Sequence, residues 1–168
     1  MLDFKRILVP YDGSEHGKRA LKQAIAMAES SKDTVLYVAS IDEDVSALSV
    51  NNLERAYINE QLKAINYSPA HKNLEEAKKT VPETVKAEYL KKTGDAGPLL
   101  EELAKENNCD LIVMGSRGLG ALNSLLLGSV SNYMLTHSEC PIFIIKKQNA
   151  AGLTCRRFFI PENKTFNY

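Results

Sequence analysis

Leu111-Ile112-Val113-Met114-Gly115-Ser116-Arg117-Gly118, then nine residues from Leu119 to Leu127, then Gly128-Ser129, is the stretch on which the fold turns. The apolar run Leu111 to Met114 reads as a buried strand, and Val130, Tyr133, Met134 and His137 recur at helical spacing on one face. The glycines therefore occupy a strand-to-helix connection. Glycine there lets the backbone turn through positive φ and come close to a ligand, and the first N–H groups of the following helix have no internal partners. An anion at Gly128 and Ser129 gains those donors and the positive dipole end, the latter worth about 0.3–1 kcal/mol near a surface. Each glycine taken singly also suits an ordinary loop.

Outward from this stretch, short β-rich runs alternate with helical patterns, the mark of βαβ units and a parallel sheet. Arg6 to Val9 is the first strand, and Ser14 can cap a helix whose Leu21, Ala24, Ile25 and Ala28 form an apolar stripe. Thr34 to Ala39 is the second strand, followed by an acidic loop with Asp42, Glu43 and Asp44. A polar helical region from about Asn52 to Lys79 is interrupted at Pro69 and ended by Pro82. Val85 to Lys91 is the third strand, Pro98 to Asn107 a helix, Leu111 to Met114 the fourth strand, Ser129 to His137 a helix and Ile142 to Lys146 the fifth strand. There is no internal repeat.

At 168 residues and 44% hydrophobic, the chain makes about one domain and can bury roughly 70% of its unfolded surface. Twenty-one basic residues balance twenty-one acidic ones, which removes the electrostatic case for a general nucleic-acid or membrane binder. Cys109, Cys140 and Cys155 are widely spaced and odd in number, so neither a disulfide framework nor a zinc site is indicated. Asp3, Lys5 and Arg6 do not make a signal peptide, and no run reaches the length of a membrane span. A cytoplasmic location is the expectation.

The pattern glycine, two residues, glycine, nine residues, glycine, serine resembles the ATP-binding signature of the universal stress protein family. Arg6-Ile7-Leu8-Val9-Pro10-Tyr11-Asp12-Gly13-Ser14 resembles that family's first strand and loop, and Cys140-Pro141-Ile142-Phe143-Ile144-Ile145 its last strand. Gly94-Asp95 and the stretch Ala104 to Gly118 fit the same pattern. The likeness runs in order from residue 4 to 147, which sets a family domain over 1–147 and a C-terminal extension over 148–168. It implies a Rossmann-like α/β fold of the adenine nucleotide alpha-hydrolase type: an open parallel five-stranded sheet in order 3-2-1-4-5, with helices on both faces. Ligands of open α/β sheets bind beyond the carboxyl ends of the strands where the winding reverses. Pro10, Asp12 and the Gly115 loop all emerge there.

The resemblance assigns an adenine nucleotide, ATP, ADP or AMP, to this crevice, with Mg²⁺ reached through the phosphates. It gives Asp12 the adenosine; the bland reading is a turn with Gly13. Ala39, or Val38 if the alignment slips by one, meets adenine, and Met114 borders the ribose; both also read as core residues. Gly115 and Gly118 shape the phosphate loop, lined by Ser116, Arg117, Leu119, Gly120 and Ala121, and Arg117 can pair with phosphate oxygens. Gly128, Ser129, Val130 and Ser131 supply helix-start donors.

His137 reads as a helix-end residue suited to the negative dipole, and His16 and His71 as solvated. No nucleophile elbow, P-loop lysine or dinucleotide fingerprint is present, so binding is better supported than catalysis. The expected molecule is a nucleotide-dependent, homodimeric stress-response module, paired through the strand Ile142-Lys146 and read by another protein. A dimeric interaction protein without nucleotide and a slow ATP hydrolase are the alternatives. Arg156, Arg157, Phe158, Phe159 and Ile160 in the extension either cover the sheet edge, dock on a partner or stay disordered.

Overall fold

The computed structural model describes residues 4–31, 33–43, 51–64, 68–118, 127–148 and 154–159. In chain order the elements are β1 (Arg6–Pro10), α1 (Glu15–Glu29), β2 (Val35–Asp42), α2 (Asn52–Ala64), α3 (Pro69–Thr80), β3 (Lys86–Thr93), α4 (Ala96–Glu106), β4 (Leu111–Gly115), α5 (Ser129–His137), β5 (Ile142–Gln148) and β6 (Thr154–Phe159). They build one sheet in the order β3-β2-β1-β4-β5-β6. The first five strands are parallel, as expected.

Each central strand buries both faces, which is why its sequence is a continuous apolar run. Ile7, Val9, Leu36, Val38, Leu111 and Val113 join the core under α1 and α3. Leu8, Ala39, Ile112, Met114, Ile142 and Ile144 join the opposite core, under α4 and α5. Leu8 and Ile112 are paired across β1 and β4 and fully buried, so the strand pair that creates the winding reversal lies at the centre of the molecule.

One detail extends the sequence reading and a second departs from it. Pro69 divides the polar helical region as expected, and it does so by opening α3 at the first turn, where a missing N–H costs no hydrogen bond. Ser68 caps that helix through the His71 N–H, and Asp42 at the end of β2 accepts from the Ser68 hydroxyl at 2.6 Å and the Ala70 N–H at 2.8 Å. The acidic residue after strand two is therefore an anchor for α3.

The departure is at the sheet edge. β6 runs antiparallel to β5, with Ile142, Phe143, Ile144 and Ile145 in register with Phe159, Phe158, Arg157 and Arg156. The edge expected to meet a second copy through Ile142-Lys146 is covered from within the chain. The physical reason is local: a bare edge carries unpaired N–H and C=O groups, and the extension supplies them with partners only a few residues downstream. Of the three readings of the Arg156–Phe159 cluster, edge cover is the one found. Removing residues 149–168 uncovers β5 again, and the shortened chain is expected to self-associate more strongly than the full chain. Light scattering over a concentration series checks this; an unchanged mass in the shortened chain contradicts it.

Candidate functional site

The crevice begins with the carboxyl ends of β1 and β4. Pro10 ends β1 beside Ala39 of β2, and the Tyr11 N–H donates to the Ala39 carbonyl at 2.8 Å, which carries the chain one step further before it turns. Asp12 Oδ1 then accepts from the Ser14 N–H at 3.0 Å, Gly13 takes φ 77°, and Ser14 Oγ caps α1 through the Gly17 N–H at 3.0 Å. Asp-x-Ser is thus a turn and a helix cap in three residues. The turn reading of Asp12 is the one found, with its second carboxylate oxygen left toward the loop after β4.

That second oxygen faces Gly118. A methyl group at Gly118 would sit 2.7 Å from Asp12 Oδ2, so the loop after β4 passes directly over the loop after β1. Gly115 is tighter still: a methyl there would lie 2.7 Å from His16 Cβ and 2.8 Å from the His16 carbonyl carbon. At Gly128 it would meet Arg117 Cα at 3.3 Å. None of Gly115, Gly118 and Gly128 has positive φ; the described glycines that do are Gly13 and Gly94. The glycines of the loop are required for close approach, and the expectation that they turn the chain through positive φ is corrected for these three.

Ser116 ties the site together. Its N–H donates to the Ile145 carbonyl at 2.9 Å, and its carbonyl accepts from the Gly128 N–H at 2.8 Å. Its hydroxyl lies 3.1 Å from His16 Nδ1, and the whole residue is buried. Burial, together with the Arg19 and Arg117 guanidiniums, holds the His16 ring below its ordinary value. The sequence reading leaves His16 solvated; the structure places it against Gly115 and Ser116 at the end of β4. No local pattern could show this, because its partner is 100 residues away.

Gly128 is the N-cap of α5, and no side chain caps it. The N–H groups of Ser129, Val130 and Ser131 are those that a helix leaves without internal partners. Ser129 is exposed, Val130 half-buried and Ser131 buried. The Ser131 hydroxyl is committed to the Gly115 carbonyl at 2.9 Å, which fixes the start of α5 on the end of β4. At the far end His137 Nδ1 lies 2.9 Å from the Tyr133 carbonyl, in the last turn as expected. Met114 and Ala39 are buried in the same core, and Val38 faces the other one, so of the two strand-two candidates it is Ala39 that shares a face with Met114. Leu119, Gly120 and Ala121 lie outside the described residues.

Charge around the His16 ring is mixed, with Arg19 and Arg117 on one side of the balance and Asp12 on the other. Among the described residues no group of three or more His, Cys, Asp or Glu side chains is placed to hold a metal ion, and no helix is long and apolar enough to cross a membrane.

A parallel sheet reversing its winding between β1 and β4, with a close-packed glycine loop leading to an uncapped helix start, defines a nucleotide-fold domain of the open α/β class. The universal stress protein family model matches residues 3–146, and the chain belongs to that family. A universal stress protein of the cyanobacterium Synechocystis is 32% identical over 158 residues, covering 86% of this chain and 99% of that protein. A solved universal stress protein in complex with cAMP superposes with a TM-score of 0.61 at 24% identity, over 85% of this chain and 97% of that one. An Arabidopsis thaliana family protein with AMP bound gives 0.58 at 22% identity, over 88% and 94%. These likenesses establish the fold.

Gly115→Ala drives a methyl into the backbone of α1, whereas Gly118→Ala meets only the tip of a carboxylate. The first substitution is expected to destabilise the protein by about 1–3 kcal/mol, the range for overpacking a filled site, and the second by less. Urea unfolding of both variants checks the order, and equal midpoints would contradict the packing described here.

Proposed function

We propose that this chain binds an adenine nucleotide in the crevice between Asp12 and the Gly115–Ser131 segment and acts as a nucleotide-dependent signalling module. The observation that carries the reading is the meeting of two segments a hundred residues apart. Asp12 lies across the mouth from Gly118, and the loop that passes it ends at a helix start with no side-chain cap. A carboxylate can accept from hydroxyl or amine groups of a nucleoside, while free N–H groups at a helix start favour phosphate. The two chemistries are arranged in the order that a nucleotide presents them.

Ser129 N–H, Val130 N–H and Ser131 N–H are the phosphate donors in this reading, with the exposed Ser129 hydroxyl beside them. Arg117 adds a charge-assisted partner for a phosphate oxygen. Ala39 and Met114 give the adenosine end an apolar floor. Gly115 seats the loop against α1, and Ser116 ties it to β5 and α5. The proteins of this fold solved with AMP and with cAMP support adenine as the base. Mg²⁺, where it takes part, comes with the phosphates. Binding rather than turnover is the proposed activity, since among the described residues no group near the phosphate end is placed as a general base toward an attacking water.

Titration of the nucleotide-stripped protein with AMP and with ATP tests the reading. Gly128→Val places a branched side chain against Arg117 Cα and Gly118 N at the phosphate end, and is expected to weaken binding by tenfold or more, equivalent to about 1.4 kcal/mol or more. Undiminished binding in that variant, or none in the parent chain, overturns the assignment.

A further inference from the structure

His16 and Ser116 form a contact that the nucleotide reading leaves unused. His16 lies in the first turn of α1, its backbone packed on Gly115, and its ring reaches the buried Ser116 hydroxyl at 3.1 Å. Ser116 in turn controls the phosphate loop, because its carbonyl accepts from the Gly128 N–H that begins α5. Any change in the ring's charge is therefore felt at the phosphate end through a single residue.

The charged groups facing the ring come from three elements. Arg19 stands one turn further along α1, Arg117 follows β4, and Asp12 precedes α1; β5 contributes the Ile145 carbonyl and β4 no ionisable side chain. Two cations thus oppose a single carboxylate. Arg19 Nη1 is buried with no hydrogen-bond partner among the described residues, which marks the surroundings as short of negative charge. Under this balance, with burial, the ring's pKa is held below its ordinary value. A nucleotide phosphate carries about −1.5 to −2 charges near neutral pH and reverses the balance.

The hydroxyl gives the coupling a direction. A neutral imidazole has one donor and one acceptor, so Ser116 can direct its single hydrogen at the ring; an imidazolium has two donors and no acceptor. Once protonated, Nδ1 can only donate to Ser116 Oγ, and the hydroxyl hydrogen is released to another acceptor, for which a phosphate oxygen at the loop is well suited. We infer that His16, acting through Ser116, couples nucleotide binding to proton uptake, so that the chain holds a nucleotide phosphate more tightly as pH falls below neutrality. This rests on the nucleotide reading above and adds to it a positioning residue and a sense of regulation.

The sign follows from linkage. If the bound state has the higher ring pKa, a proton is taken up on binding, and affinity gains up to about tenfold for each unit by which the ligand raises that pKa. The gain begins as pH falls through the bound-state midpoint and is complete below the free-state midpoint, which lies under the ordinary histidine value. AMP also titrates near pH 6, and protonation of its phosphate weakens binding equally whatever stands at residue 16.

The experiment is AMP titration of the parent chain and His16→Gln at about pH 8 and about pH 6, with the His16 ring followed by NMR across the same range in the parent chain with and without AMP. Glutamine keeps a polar partner for Ser116 and cannot take up the proton. The expected result is that the parent chain gains affinity relative to the variant at the lower pH by threefold or more, and that AMP raises the ring's titration midpoint. An identical pH dependence in both chains with an unmoved midpoint overturns the coupling and leaves nucleotide binding intact. Absence of AMP binding in the parent chain at both pH values overturns the nucleotide reading and the coupling with it. The ring titration needs no variant, so poor folding of His16→Gln does not protect the proposal.

Discussion

The contact between the first turn of α1 and the end of β4 is the constraint on which the site depends. α1 passes so near Gly115 that the position has no room for a Cβ: the nearest atoms would be His16 Cβ and the His16 backbone at 2.7 and 2.8 Å. This proximity follows from topology. β4 pairs with β1, and α1 leaves the carboxyl end of β1, so its first turn must cross beside the strand that comes 100 residues later. Gly118 comes against the Asp12 carboxylate and Gly128 against Arg117 Cα, so all three glycines lie at close approaches, with Gly115 the one hemmed in by backbone.

Two polar anchors then convert proximity into a fixed geometry. Ser116 links β5, α5 and α1 through its N–H, its carbonyl and its hydroxyl. Ser131 closes α5 onto the Gly115 carbonyl. Each hydrogen bond adds only about 1 kcal/mol net, but leaving either buried hydroxyl without a partner would cost more than making the bond gains. The loop therefore presents its free N–H groups at Ser129 and Val130 on a rigid base, the condition under which weak donors can add up to a phosphate site.

Much of this was legible in the chain. Alternating β and helical patterns give the five parallel strands, because a strand buried on both faces must be apolar throughout, as Ile7 to Val9 and Leu111 to Met114 are. α5 runs over the residues expected of it, since Gly128 and His137 mark its two ends chemically. Pro69 marks the break between α2 and α3 as its sequence position suggests, while its place in the first turn of α3 shows only with the Ser68 cap and the Asp42 anchor. β6 was one reading of three, since Thr154 to Phe159 has charged and apolar residues in blocks rather than alternation, and its strand character comes from the β5 edge it covers. His16 was read as solvated for a related reason: what defines it is a neighbour supplied by the sheet order. The glycine spacing located the loop correctly, while its physical cause, close approach rather than positive φ, became visible only when α1 was in place.

Two segments a hundred residues apart are proposed to close on a single anion-bearing ligand. Residue-resolved amide hydrogen exchange with and without saturating AMP tests it most directly. The account predicts slowed exchange at Ser129, Val130 and Ser131 together with Gly118, and slowed exchange at Asp12 and Gly13 across the crevice. Protection confined to one of the two segments, or absent from both while AMP is bound, would contradict it.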